Sequence, residues 1–90
     1  MRNKRYTPVL SPHAKRDLDR FSGKILQQLK NAIAAVVKEP RGSGTKKLAV
    51  SDQNLYRKKS GNYRILYEID DVKHEVIVHR IGDRKDIYRG

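Results

Sequence analysis

The spacing of apolar positions changes period along the chain, and the change divides it into a helical half and a strand-rich half. Ser11-Pro12 reads as an N-cap followed by proline at the first helical position. Ala14, Leu18 and Phe21 then recur at helical spacing until Ser22-Gly23 ends the segment. A second helix over residues 24–38 puts Ile25, Leu29, Ala32, Ile33, Val36 and Val37 on one stripe, and Pro40-Arg41-Gly42 stops it. Ahead of both, residues 5–10 form a short strand in which Pro8 cannot donate to a ladder, a feature suited to a sheet edge.

After a polar connection through Gly44 the period becomes two. Residues 55–60 and 63–69 flank Gly61-Asn62, a two-residue loop of the kind that closes a hairpin. Residues 70–74 reverse the chain again, and the β-branched run at 75–81 reads as a central strand. The pattern predicts one α+β domain over residues 1–90, in the order β-α-α-β-β-β. Its architecture is an antiparallel sheet with a helical hairpin packed on one face.

Charge changes this picture more than composition does. Twenty-one Lys and Arg face ten Asp and Glu, a net charge of +11, far beyond what solubility asks for, and the excess points to a polyanionic partner. Residues 41–60 hold six Lys or Arg against one Asp, whereas residues 61–71 hold one against three acids. The chain has no Cys, which excludes a disulfide framework, a thiolate nucleophile and Cys-ligated zinc, and makes a reducing compartment the default. No apolar run approaches the ~20 residues of a membrane span, so a cytoplasmic protein without a membrane partner is expected.

The hairpin concentrates the charge. With Gly61 and Asn62 as the loop, Lys59 faces Arg64, Arg57 faces Leu66, and Tyr56 faces Tyr67. Alternation then puts Arg57, Lys59 and Arg64 on one face and Tyr56, Lys58, Ile65 and Tyr67 on the other. Like charges about 5 Å apart repel by about 0.8 kcal/mol even in water, so a bound anion would relieve this face. The plainer reading is a solvated, aggregation-resistant surface. Arg80, Arg84 and Tyr88 follow within reach, and guanidinium forks that grip phosphate tilt the balance toward phosphate chemistry. Tyr56 and Tyr67 read as core, and Tyr63, beside the turn, is open. His13 and His74 read as solvated, and His79, alternating with Ile77 and Ile81, as a packed or hydrogen-bonded ring. None makes a metal-ligand spacing with another His or with acids.

The run Leu55-Tyr-Arg-Lys-Lys-Ser-Gly-Asn-Tyr-Arg-Ile-Leu-Tyr-Glu-Ile69, followed by Val76-Ile-Val-His-Arg-Ile-Gly-Asp-Arg-Lys-Asp-Ile-Tyr-Arg89, resembles the RelE/ParE superfamily of bacterial toxins. The resemblance implies a RelE-like fold and, for RelE-type members, an endoribonuclease that enters the ribosomal A site and cuts messenger RNA without metal or cofactor. It also implies a cognate antitoxin protein that silences it. The implied catalytic positions are Arg57, Lys59, Arg64, Arg84 and Tyr88. Some relatives carry lysine at Arg57, and many carry histidine or lysine at Asp83. With the chain read as ending at Gly90, the extra C-terminal helix of some members is not expected.

In-line attack of a ribose 2′-hydroxyl on the adjacent phosphate needs proton transfer, charge stabilisation and a splayed substrate. The expectation gives Lys59 the 2′-hydroxyl proton with Arg57 in support, Arg64 the transition-state phosphate, and Arg84 the leaving oxygen. Tyr88 stacks a base, orients the scissile group, or simply packs on the sheet. Lys46, Lys47, Lys58, Arg80 and Lys85, with Arg2, Lys4 and Arg5, read as RNA-binding surface that contacts phosphate without reading sequence. Two other functions fit the same charge: the ParE branch of the fold, which acts on DNA gyrase and cuts no RNA, and a non-enzymatic RNA-binding module.

Overall fold

A computed structural model of the chain describes residues 5–48 and 54–85. Its elements are β1 (Thr7–Leu10), α1 (Pro12–Asp19), α2 (Gly23–Lys38), β2 (Thr45–Lys47), β3 (Leu55–Ser60), β4 (Tyr63–Asp70) and β5 (Glu75–Asp83). They form two helices and a five-stranded sheet ordered β1-β5-β4-β3-β2, with the proline-bearing β1 at one edge and β5 inside. The fold is α+β, as the sequence predicts, with two differences. β1 runs parallel to β5 while every other pair is antiparallel, so the sheet is mixed. The helical crossover returns the chain to the far edge, and the meander works back until β5 meets β1. Nothing in the alternation of β1 encodes that direction. Residues Thr45–Lys47, read as a polar connection, pair with β3 as an edge strand too short and too polar to show a period.

The start of α1 follows from local chemistry. The Ser11 side chain accepts from the Ala14 N–H at 3.0 Å and donates to the His79 carbonyl at 3.2 Å, so the cap that starts α1 also ties it to β5. α2 begins at Gly23 and buries Leu29, Ala32 and Val36. Against these lie Ile65, Tyr67 and Ile69 of β4 and Val76, Val78 and Ile81 of β5, all at most 2% exposed. Tyr56 and Tyr67 stack at 5.8 Å, and Tyr67 donates to the Pro40 carbonyl. Burial pushes the Tyr67 phenol up to about 12, which keeps it a donor. Tyr63 meets Phe21 edge-on at 5.4 Å, which places it with the core periphery.

β5 departs from simple alternation. Leu66 faces Arg80 but Tyr67 faces Val78, so His79 is an extra residue and the ladder bulges there. The bulge lets Val76, Val78 and Ile81 all point into the core, and it separates His79 from Ile81, which the sequence places on one face. It also brings the Ile81 N–H and the Arg80 Nε to the same Asp17 carboxylate oxygen, each at 2.8 Å. Burial alone would raise the Asp17 carboxyl. Those two hydrogen bonds outweigh it and hold the group below its usual range. His74 differs from expectation too: it adopts a left-handed φ of 58° and stacks on Tyr6 at 4.2 Å. Beside it, Arg41 grips Asp71 with both guanidinium arms at 3.0 and 3.3 Å and holds that carboxyl below its usual range.

Candidate functional site

The site grows from the hairpin turn. Gly61 takes a φ of 62°, in the left-handed region, and Asn62 does not, the pattern of a type II′ turn that only glycine enters easily at its first central position. The turn fixes the register: Lys59 faces Arg64, Lys58 faces Ile65, Arg57 faces Leu66 and Tyr56 faces Tyr67. β2 adds Lys46 opposite Arg57. Lys46, Arg57, Lys59 and Arg64 therefore share the face of the sheet opposite to Ile65 and Tyr67. Among the described residues, none of these four cations forms a salt bridge.

Arg64 is the distinctive member. It is only 9% exposed, its Nη1 donates to the Gly61 and Tyr63 carbonyls at 2.9 and 3.0 Å, and its Nε is buried with no partner among the described residues. Gly82 stands opposite Arg64 on β5, so no side chain there competes for space. A buried guanidinium held by one arm, with a donor unused, is arranged to take an anion.

Arg84 joins from the end of β5, its N–H donating to the Asn62 carbonyl at 3.0 Å. Asn62, Asp83, Arg84 and Lys85 line a cleft of about 640 Å³ beside the turn. Arg84 and Lys85 thus stand at the same end of the sheet as Lys59 and Arg64. The remaining basic residues divide. Lys47 and Lys58 belong by register to the helix-covered face, at its edge, and Lys58 donates to the Ser43 carbonyl at 2.7 Å. Arg80 is engaged with Asp17. Tyr88, Arg2 and Lys4 lie outside the described residues.

Three features escaped the sequence reading. Glu68 meets His79 at 3.1 Å across the β4–β5 bulge, on the cationic face. Leu48, Leu55, Leu66 and His79 line an open cavity of about 210 Å³ on that face. Gly82 is the residue paired opposite Arg64. The hairpin register is the signal that puts Leu55 and Leu66 beside Arg57.

Comparison with known proteins finds relatives that share this fold. The family described as the ParE toxin of type II toxin-antitoxin system, parDE, matches residues 9–88. Toxin RelG of Mycobacterium tuberculosis is 34% identical over 85 residues, covering 93% of this chain and 97% of RelG. A chain of the toxin-antitoxin complex RelBE2 from the same organism aligns at a TM-score of 0.78 with 28% identity, over 89% of this chain and 99% of that one. The isolated RelE toxin of E. coli aligns at 0.75 with 26% identity, over 93% and 92%.

Proposed function

This chain belongs to the ParE toxin family of type II toxin-antitoxin systems, within the RelE/ParE superfamily, and from that premise we propose that it is a cytoplasmic, ribosome-dependent endoribonuclease that cuts messenger RNA and so stops translation. The observation that carries the reading is the Lys59–Arg64 pair: two cations set opposite each other, one buried with an unused donor, with Arg57 and Lys46 beside them. A scissile phosphate there offsets their repulsion.

The reaction needs no cofactor. The 2′-oxygen bonds to phosphorus as the bond to the 5′-oxygen breaks, leaving a 2′,3′-cyclic phosphate and a free 5′-hydroxyl. Lys59, reacting from the neutral form of its amine, receives the 2′-hydroxyl proton with Arg57 in support, and the departing 5′-oxygen takes up a proton from Arg84 or solvent. Arg64 stabilises the charge that builds on the phosphoryl oxygens, and Arg84 faces the departing oxygen. Tyr88 stacks on a base or orients the scissile group. Lys46 and Lys85 steer the backbone.

The solved relatives include toxin-antitoxin complexes, and a cognate antitoxin is the expected partner here. An acidic or amphipathic segment of it would cover the cationic face, and co-purification at low salt would test this. Mapping RNA ends after induction, in translating and in translation-blocked cells, tests the enzyme: new 5′-hydroxyl ends confined to translating cells support it. A second reading is favoured by the family description itself: a ParE-like toxin that inhibits gyrase. It predicts no new RNA ends and loss of supercoiling by purified gyrase.

A further inference from the structure

We infer that the cavity walled by Leu48, Leu55, Leu66 and His79 is a subsite for one unstacked base of the RNA strand, next to the nucleotide held by Lys59 and Arg64. The inference rests on the RNA-cleaving reading and adds where the strand runs and what grips it.

The cavity interrupts the charge of its face. Leu66 stands opposite Arg57, Leu55 lies two residues before Arg57 on β3, and the Leu48 N–H donates to the Leu55 carbonyl at 2.9 Å, carrying the ladder past β2. Three leucines thus meet solvent on a face otherwise lined with cations. At about 210 Å³ the cavity is below the range of ordinary small-molecule pockets, and it suits a single planar ring. Alternating cations and ring-binding surfaces are the mark of single-strand grooves.

Spacing connects the cavity to the cations. Along β3, Arg57 is about 6.6 Å from Lys59 and Leu55 as far again, at ~3.3 Å per residue. An unstacked strand extends about twice the ~3.4 Å rise of a stacked one for each nucleotide. A phosphate on Lys59 and Arg64 puts its neighbour over Arg57, with that nucleotide's base over Leu66 and Leu55. One edge of the cavity is polar. Glu68 faces Leu55 and holds the His79 ring at 3.1 Å, so the imidazole offers a flat wall for stacking while the carboxylate keeps lone pairs for a base N–H.

The test uses the purified full chain with ¹³C-methyl leucines and a trinucleotide made uncleavable by 2′-deoxyribose at the scissile position, beside the same trinucleotide lacking the neighbouring base. The base-bearing probe is expected to bind about tenfold tighter, to shift the Leu48, Leu55 and Leu66 methyls, and to lose that advantage in Leu55→Asn, while the abasic probe moves none of them. The methyl shifts come from the unaltered protein, so they decide the matter even where the variant does not fold. Equal affinity for the two probes overturns the subsite, as do Leu48, Leu55 and Leu66 methyls that respond to neither probe. Messenger cleavage that persists alongside equal affinity sinks the subsite alone. No cleavage and no binding of either probe sinks the parent reading as well.

Discussion

The two faces of β4 are built from alternate residues of one eight-residue strand, yet they obey opposite rules. On the helix side, Ile65 and Tyr67 are fully buried and the Tyr67 hydroxyl has its acceptor. On the other, Arg64 has a buried donor with no partner among the described residues, opposite Lys59, while Leu66 borders an open cavity. A face that served stability alone would exchange these for neutral or oppositely charged pairs, because unpaired buried donors and like-charge neighbours both cost free energy. The open face is organised around something that arrives from solution.

The sharpest way to break this comparison is to remove charge from the open face. Lys59→Gln and Arg64→Gln are each expected to lower messenger cleavage about 10²- to 10³-fold, the usual loss for a group that stabilises transition-state charge, with the fold kept. Cleavage rates in a translating extract, beside circular dichroism, check it. The complementary change on the closed face is Ile65→Ala, which opens a cavity between sheet and helices and should cost about 3 kcal/mol in denaturant unfolding.

How much of this was legible beforehand differs between the faces. The closed face and the hairpin register were readable because period-two alternation and Gly61-Asn62 are local signals. The facing of Lys59 with Arg64 followed from that register. What stayed hidden was non-local. The parallel β1–β5 pairing depends on a crossover, the bulge at His79 on a mismatch between two strands, and the engagement of Arg80 on Asp17 in a distant helix. Lys47 looked equivalent to Lys46 as a charge, and only the pairing of β2 with β3 separates the two by face, whereas the hairpin register already put Lys58 on the Tyr56 face.

Asp17 sharpens the comparison where the faces meet. Asp17→Asn removes the charge that binds the Arg80 Nε and the Ile81 N–H, and should cost about 1–3 kcal/mol. The pH dependence has a definite sign. A carboxyl held below its usual range stabilises the folded chain above the ordinary carboxylate value of about 4, and loses that contribution as pH falls below it. Acid unfolding of the wild type should therefore be steeper than that of Asp17→Asn, as fluorescence or circular dichroism against pH would show. Tyr67→Phe is milder: it leaves the Pro40 carbonyl without its donor inside a packed site, at about 1 kcal/mol.

The smallest expected effect is the most diagnostic, because its sign is opposite to the others. If Lys59 and Arg64 are held together for a ligand, separating their charges helps the empty protein. Lys59→Gln should then be more stable than wild type by a few tenths of a kcal/mol at low ionic strength, while cutting RNA far more slowly. Added inorganic phosphate should raise the melting temperature of the wild type more than that of the variant, since an anion that binds only the folded state stabilises it in proportion to its occupancy. High concentrations of a weakly binding salt should shrink the stability difference by screening the repulsion. A variant that melts below wild type, with no difference in response to phosphate, would mean that the Lys59 side chain supports the sheet by its packing, and that the open face is an ordinary solvated surface.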